Sequence, residues 1–352
     1  MRYYTLDKIR KIRDLDGLQP SIFLITTNRS GGKTTAVLSD FLKQFLNDST
    51  EFVLIYRHKY ELKACHEIFA DILQREYPNS VIDSQSVAQG LFYTLTWDKD
   101  DKKTRIGFAV CMTNADEIKK YSPMFLNVRR ALFDEFQLEN GKYLKNEPKK
   151  LLSIIISISR GGGAQSRNID LFMLANNISI LNPYYISFGI VERLKPETRF
   201  LRGHGWVLEQ GFNKNASDEI NKNAIVRAFS EKENNYTNYL SSKDYLLNME
   251  SFIRKQSGKS RYLCTIEYGE KRLGVREFFN SGCIHVNEKI ENNSYYNFAF
   301  TPNDHNQNTM MLTRASFIFK LLQNAYNTAS LTFESLEIKN IIFELLGVDL
   351  YK

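Results

Sequence analysis

Four short runs, apolar at most consecutive positions, mark the first two-thirds of the chain: Ile22–Thr26, Phe52–Tyr56, Ala131–Asp134 and Ile169–Leu174. Consecutive rather than alternating apolar residues are the pattern of strands covered on both faces, and they predict a parallel sheet. Between them apolar residues recur at helical spacing. Val37, Phe41, Leu42 and Phe45 share one face of a helix predicted over Thr34–Leu46, and helices are also predicted over Tyr60–Tyr77 and Glu147–Ser159. Phe92–Trp97 and Ile106–Met112 flank the charged stretch Asp98–Thr104 and read as an added hairpin. Strands alternating with helices predict an α/β fold on a doubly wound sheet.

The pattern changes near Gly211. From there to about Asn248 the chain is rich in Asn, Lys, Glu and Ser and poor in branched apolar residues, as in a linker or small helical connector. Beyond it Phe252–Tyr268, Arg272–Phe279 and Cys283–Val286 resemble strands parted by glycine turns, and helices are predicted over Leu312–Asn327 and Phe333–Leu346. The 352 residues thus divide into an α/β domain over 1–210, a connector over 211–249 and a smaller α+β domain over 250–352.

Composition narrows the class. Hydrophobic residues make up 43% of the chain, enough for real cores, yet no 18 consecutive positions are apolar, so no membrane span is expected. The N-terminal stretch MRYYTLDKIRKIRDLDG lacks an apolar core and reads as mature sequence. Cys65, Cys111, Cys264 and Cys283 lack metal-ligand spacing and are expected to be reduced thiols of a cytosolic protein. The net charge of +7 is spread along the chain and permits nucleic-acid contact without requiring it.

The chemistry starts at Thr27–Thr34, TNRSGGKT, between the first apolar run and the first helix. Strand, glycine loop, Lys-Thr and helix form the layout of a P-loop, in which backbone N–H groups at a helix N-terminus surround phosphates. Arg29, Gly31, Gly32, Lys33, Thr34 and Thr35 are the expected nucleotide-binding residues, with Lys33 on the β- and γ-phosphates and the Thr34 hydroxyl on Mg²⁺. The pattern departs from G-x-x-x-x-G-K-[ST] where Thr27 occupies the place of the first glycine. A second motif, Arg130–Phe136, ends a short strand in Asp134-Glu135. There Asp134 would order the Mg²⁺ shell and Glu135 would polarise the attacking water. The run Ile169–Asn177 ends in paired asparagines, and Asn176 is the candidate sensor of the γ-phosphate. Arg160 closes the apolar helical run Leu151–Ser159 ahead of a glycine-rich loop, where it could be offered to a neighbouring subunit. Arg167, at the other end of that loop, is its rival. No N-K-x-D motif marks a GTPase.

Several stretches carry a closer resemblance. FDEF at Phe133–Phe136, the following KYLKNEPKKLL, LANNISILNPYY at Leu174–Tyr185, EYGEKRLGV at Glu267–Val275 and NQNTMML at Asn306–Leu312 resemble the DNA-packaging ATPases of the small podophages that replicate by protein priming. Arg29 inside the phosphate loop fits the same resemblance, which runs in one order along most of the chain. It implies an ATPase of the additional-strand (ASCE) class that translocates double-stranded DNA, using ATP and Mg²⁺. The motor would be a homo-oligomeric ring, a pentamer by resemblance, at the portal vertex of a procapsid in the host cytoplasm, with a packaging RNA as a further possible partner. By position, Lys33 and Thr34 fall on the phosphate loop, Asp134 and Glu135 on the catalytic acids, Arg160 on the trans-acting arginine and Asn176 on the sensor. The C-terminal domain would be RNase H-like without nuclease activity, because Glu267, Glu270, Glu277 and Asp304 supply no evident converging cluster. Two alternatives remain at this point: a terminase with an active nuclease, and a nucleotide-gated assembly factor without sustained turnover. Arg57, Lys59, Lys119, Lys120, Arg129 and Arg130 are candidate contacts to DNA phosphates.

Overall fold

The structure, a computed structural model, describes residues 4–138, 142–160, 166–179, 182–191, 193–194, 198–226, 252–291, 296–328 and 330–346. The chain folds as two compact units, 1–246 and 247–352, each with its own core. The glycine-rich stretch 161–165 and most of the expected connector beyond residue 226 lie outside the described residues.

Among its described residues the first unit holds nine strands: β1 (Ile22–Thr27), β2 (Glu51–Tyr56), β3 (Ser80–Val87), β4 (Phe92–Lys99), β5 (Lys102–Cys111), β6 (Val128–Phe133), β7 (Asp170–Asn176), β8 (Phe200–Arg202) and β9 (Trp206–Gln210). They form one sheet in the order β3-β4-β5-β2-β6-β7-β1-β9-β8. The centre, from β5 to β9, is parallel, and β3, β4 and β8 add antiparallel edges. The sheet is therefore mixed, and β7 lies between the glycine-loop strand β1 and the Asp-Glu strand β6.

Alternate residues of the central strands face opposite cores. Leu24, Val53, Ile55, Ala131, Phe133, Leu171 and Met173 pack on the face covered by α3 (Ala115–Ile118), α4 (Glu147–Ser159) and α5 (Pro183–Ser187). Phe23, Ile25, Phe52, Leu54, Leu132, Phe172 and Leu174 pack on the other, against α1 (Lys33–Asp48) and α2 (Ala70–Glu76). Helix α6 (Lys214–Lys222) follows β9. Because the central strands run parallel, the C-terminal ends of β1, β6 and β7 meet on one edge, where α/β sheets bind ligands.

Three expectations change. The helix predicted over Tyr60–Tyr77 is two 3₁₀ turns, Lys59–Ala64 and Glu67–Phe69, followed by α2. Its buried residues Leu62, Cys65, Phe69 and Ile72 are spaced by three and four, which short 3₁₀ turns satisfy as well as an α-helix. Strands β3, β8 and β9 are additional; β3 is half-polar because it lies at the sheet edge. Arg57 and Arg130 are only 6% and 4% exposed, so neither can grip DNA phosphates in this fold. Arg130 instead pairs with Asp48 at 2.6 Å and donates to the Thr50 carbonyl.

The second unit holds β10 (Ser260–Tyr268), β11 (Lys271–Phe278), β12 (Cys283–Asn287), β13 (Asn297–Ala299), β14 (Met310–Met311) and β15 (Leu331–Phe333) in the order β14-β13-β10-β11-β12-β15. The β10-β11-β12 meander is antiparallel, and β13, β14 and β15 add parallel flanks. Helices α7 (Phe317–Asn327) and α8 (Leu336–Leu346) close its core through Ile318, Leu322, Ile338 and Ile342. Both start later than predicted, because the Leu312 N–H still pairs with the Ala299 carbonyl beyond β14 and Leu331–Phe333 pairs as a strand. Among the described residues no helix is long and apolar enough to cross a membrane.

Candidate nucleotide-binding site

Strand β1 ends at Thr27, and α1 starts at Lys33 after a loop with Ser30 at φ +58° and Gly32 at φ +78°. The left-handed turn at Gly32 points the chain into the helix, and only glycine takes it without strain. A Cβ on Gly31 would lie 2.8 Å from Thr27 Oγ1, so that position also admits only glycine. Thr27 fills the space its missing glycine would leave and does work of its own: its hydroxyl donates to the Asn28 carbonyl and accepts from Lys33 Nζ at 2.9 Å. Lys33 Nζ also donates to Asn176 Oδ1 at 3.1 Å, which ties the β1 loop to the end of β7. Lys33 is buried, and burial lowers its pKa to about 8 against the opposing pull of Asp134 and Glu135. The 16-residue α1 turns its unpaired first-turn N–H groups and positive dipole end to the same place.

At the end of β6, Asp134 Oδ2 accepts from Thr34 Oγ1 at 2.7 Å, and Asp134 Oδ1 accepts from the Glu135 N–H at 2.9 Å. Burial raises the Asp134 pKa, and the Thr34 hydroxyl, the Glu135 N–H and Lys33 oppose the rise. Glu135 is exposed at φ +56°, a backbone region that residues other than glycine seldom adopt. One carboxylate and one hydroxyl side by side suit Mg²⁺, which binds through few protein oxygens and keeps its remaining positions for water and phosphate.

The expected residues separate by environment. Lys33, Thr34, Asp134, Glu135 and Asn176 converge. Arg29 is exposed on the loop, and Thr35 turns into a groove beside α1 with Tyr4, Arg10 and Asp40. Arg160 is the exposed C-cap of α4. Arg167 is not equivalent to it. Its guanidinium donates to the carbonyls of Phe125, Leu126, Val128, Ile158 and Arg160, binding the end of α4 to the segment before β6.

Sequence reading missed what braces the loop. The Asn28 side chain clasps the Asn213 backbone: Nδ2 donates to the Asn213 carbonyl at 3.0 Å and Oδ1 accepts from the Asn213 N–H at 2.8 Å. Tyr4 N–H bonds the Gly31 carbonyl, and Tyr4 Oη donates to buried Glu209 at 2.6 Å. These segments line a half-open cavity of about 340 Å³ against the loop, with Tyr4, Lys8, Arg199, Glu209, Phe212 and Asn213 on its walls. No local motif signals partners some 185 positions apart. In the LANNISILNPYY stretch, Asn182 caps α5 by accepting from the Tyr184 and Tyr185 N–H groups, so part of that signature is structural.

The chain is similar to known proteins in both sequence and fold. The profile of the podovirus DNA encapsidation protein (Gp16) family matches residues 17–349. The DNA packaging protein of Bacillus phage phi29 is 24% identical over 321 residues, 90% of each chain. That of Bacillus phage B103 is 24% identical over 321 residues, 90% of this chain and 94% of the relative. A chain of the solved bacteriophage Phi-29 viral genome packaging motor assembly shares the fold, with a TM-score of 0.67 at 22% identity over 99% of both chains.

Proposed function

The chain belongs to the podovirus DNA encapsidation protein (Gp16) family, and on that footing we propose that it is the ATPase motor that drives double-stranded viral DNA into a procapsid. The convergence of Lys33, Thr34, Asp134 and Asn176 on one sheet edge carries this reading. The N-terminus of α1 and Lys33 would hold the β- and γ-phosphates, and the 340 Å³ cavity beside the loop would take base and ribose. Thr34 and Asp134 would hold Mg²⁺, which neutralises charge on the phosphates when bound. Glu135 takes the proton of the attacking water. Asn176, already bonded to Lys33, reports on the γ-phosphate. Arg160 serves the neighbouring subunit of a ring, a pentamer by family resemblance, at the portal vertex in the host cytoplasm.

The second unit is read as an RNase H-like domain that docks on the procapsid or a packaging RNA. An antiparallel β10-β11-β12 meander with β13 and β14 parallel beside β10 supports that fold. Glu277 pairs with Arg261 at 2.7 Å at one end of the β10-β11 ladder, while Glu267, paired with Arg272 at 3.4 Å, lies at the other end, where Asp304 accepts from the Gly269 N–H. That dispersal supports a domain without two-metal cleavage.

The deciding experiment supplies purified procapsids, linear DNA, ATP and the protein, and measures DNA protected from added nuclease. Protection that requires ATP and disappears with Glu135→Gln is expected. ATP turnover without protection would overturn the translocase reading, and Mn²⁺-dependent nicking of plasmid DNA by the full chain would overturn the reading of the second unit.

A further inference from the structure

A buried polar cluster of the first unit lies beside the Asp134-Glu135 edge. Arg57 follows β2 and is 6% exposed, and Glu147, the first residue of α4, is 1% exposed. Arg57 Nε donates to Glu147 Oε1 and Oε2 at 3.0 and 3.2 Å, and its Nη2 lies 3.0 Å from Oε1. Glu147 also accepts from Tyr184 Oη at 2.7 Å and from the Leu144 N–H at 2.8 Å. Tyr184 is itself 1% exposed between the rings of Phe133 and Phe136. Burial of an ion pair is costly and seldom adds net stability, so its placement calls for another explanation.

The remaining donors of Arg57 supply one. Nη1 donates to the Glu135 carbonyl at 2.6 Å and Nη2 to the Phe136 carbonyl at 3.0 Å. The same guanidinium thus holds the peptide of the catalytic acid, at its left-handed φ of +56°, and the first residue of α4. Helix α4 is 13 residues long and Arg160 caps its far end. A helix of that length is a rigid rod of about 20 Å.

We propose that Arg57, Glu147 and Tyr184 form a latch that sets the catalytic Glu135 of one subunit and the Arg160 that the same subunit offers its neighbour as a single unit. The inference rests on the motor reading above and deepens it. The three are positioning residues: each acts through Glu135 or α4. Arginine is needed because its planar fork reaches carboxylate and carbonyls together; a lysine is a point donor.

The test separates the two roles in mixed rings. Each latch variant, Tyr184→Phe or Glu147→Gln, is combined with Glu135→Gln subunits, which offer Arg160 but do not hydrolyse, and separately with Arg160→Ala subunits, which hydrolyse only when a neighbour supplies the arginine. The first mixture reads the variant as hydrolyser and the second as donor. Assays run well below each variant's melting temperature. Loss of one hydrogen bond in Tyr184→Phe should lower kcat about tenfold in both mixtures with KM unchanged. Glu147→Gln should lower both further, and Arg57→Lys should not behave like wild type. A deficit in one mixture only, or in neither, would overturn the latch. Wild-type rings that fail to hydrolyse ATP would instead remove the motor reading, so the two failures are distinguishable.

Discussion

Thr27 Oγ1 lies 2.9 Å from Lys33 Nζ, so the residue that replaces the first glycine of the phosphate loop holds the loop's lysine. The same hydroxyl stands 2.8 Å from where a Gly31 Cβ would be. Gly31→Ala should therefore weaken nucleotide binding and destabilise the protein by about 1–3 kcal/mol, the usual range for overpacking. Thr27→Gly should partly rescue Gly31→Ala by making room for the methyl. Denaturant titration and nucleotide affinity of the single and double variants check this; additive damage would refute it.

Glu135→Gln should keep nucleotide affinity and lose at least about a hundredfold in turnover, as expected when a general base is removed. Lys33→Ala should lose affinity first. Equilibrium binding alongside single-turnover hydrolysis distinguishes the two defects.

The two arginines flanking the glycine-rich loop should fail differently. Arg167→Ala removes donors from five carbonyls and should lower the melting temperature. Arg160→Ala, at an exposed cap, should melt like wild type yet not hydrolyse ATP in the ring. Mixing it with Lys33→Ala should restore some turnover, since each supplies what the other lacks. Normal turnover by Arg160→Ala rings would refute the assignment.

His285 gives the second unit an acid-sensitive core. It is 2% exposed, bonded to Thr332 Oγ1 at 3.0 Å and set edge-on to Phe278. Burial lowers its pKa below 6.5, assisted by Arg276 and opposed by Glu334. The unfolded chain then binds the proton at higher pH than the folded chain, so this stability is present above the unfolded pKa and is lost as pH falls through the folded value. Denaturant midpoints from pH 7.5 to 5 should fall more steeply for wild type than for His285→Gln; parallel curves would refute the assignment.

DNA affinity should be independent of duplex sequence and fall steeply with salt, through counterion release from phosphates. Exposed Lys59, Lys119 and Lys120 are the candidates retained from the sequence, with half-buried Arg129. Substituting them should reduce the salt slope, by about one for each phosphate no longer neutralised. Unchanged slopes in all four variants would move the grip elsewhere.

The parallel strands β1, β2, β6 and β7 were legible because burial on both faces demands consecutive apolar residues, and α1 because Val37, Phe41, Leu42 and Phe45 recur at helical spacing; the parallel β9 was not, since it ends in the buried polar residues Glu209 and Gln210. Thr34, Asp134 and Asn176 could be placed for a related reason: each stands at a strand end or helix start that the local pattern marks, and the fold brings those ends together. The edge strand β3 was not legible, since a half-polar strand lacks that pattern. Nor were the short strands β14 and β15, which exist only through pairing with β13 and β12.

The amino-acid sequence by itself determined the α/β class, the strand-glycine loop-helix layout at Thr27–Thr34, the short strand before Asp134-Glu135 and the family, since each rests on residues close together in the chain or on ordered similarity along it. Only the tertiary structure decided that Arg57 is a buried brace rather than a surface charge, that Arg167 holds carbonyls while Arg160 stays exposed, and that Asn176 meets Lys33. These depend on partners 90, 41 and 143 positions away. An arginine reads the same in a sequence whether a fold buries it or leaves it in water; the difference lies in the desolvation and the acceptors that the surrounding elements supply.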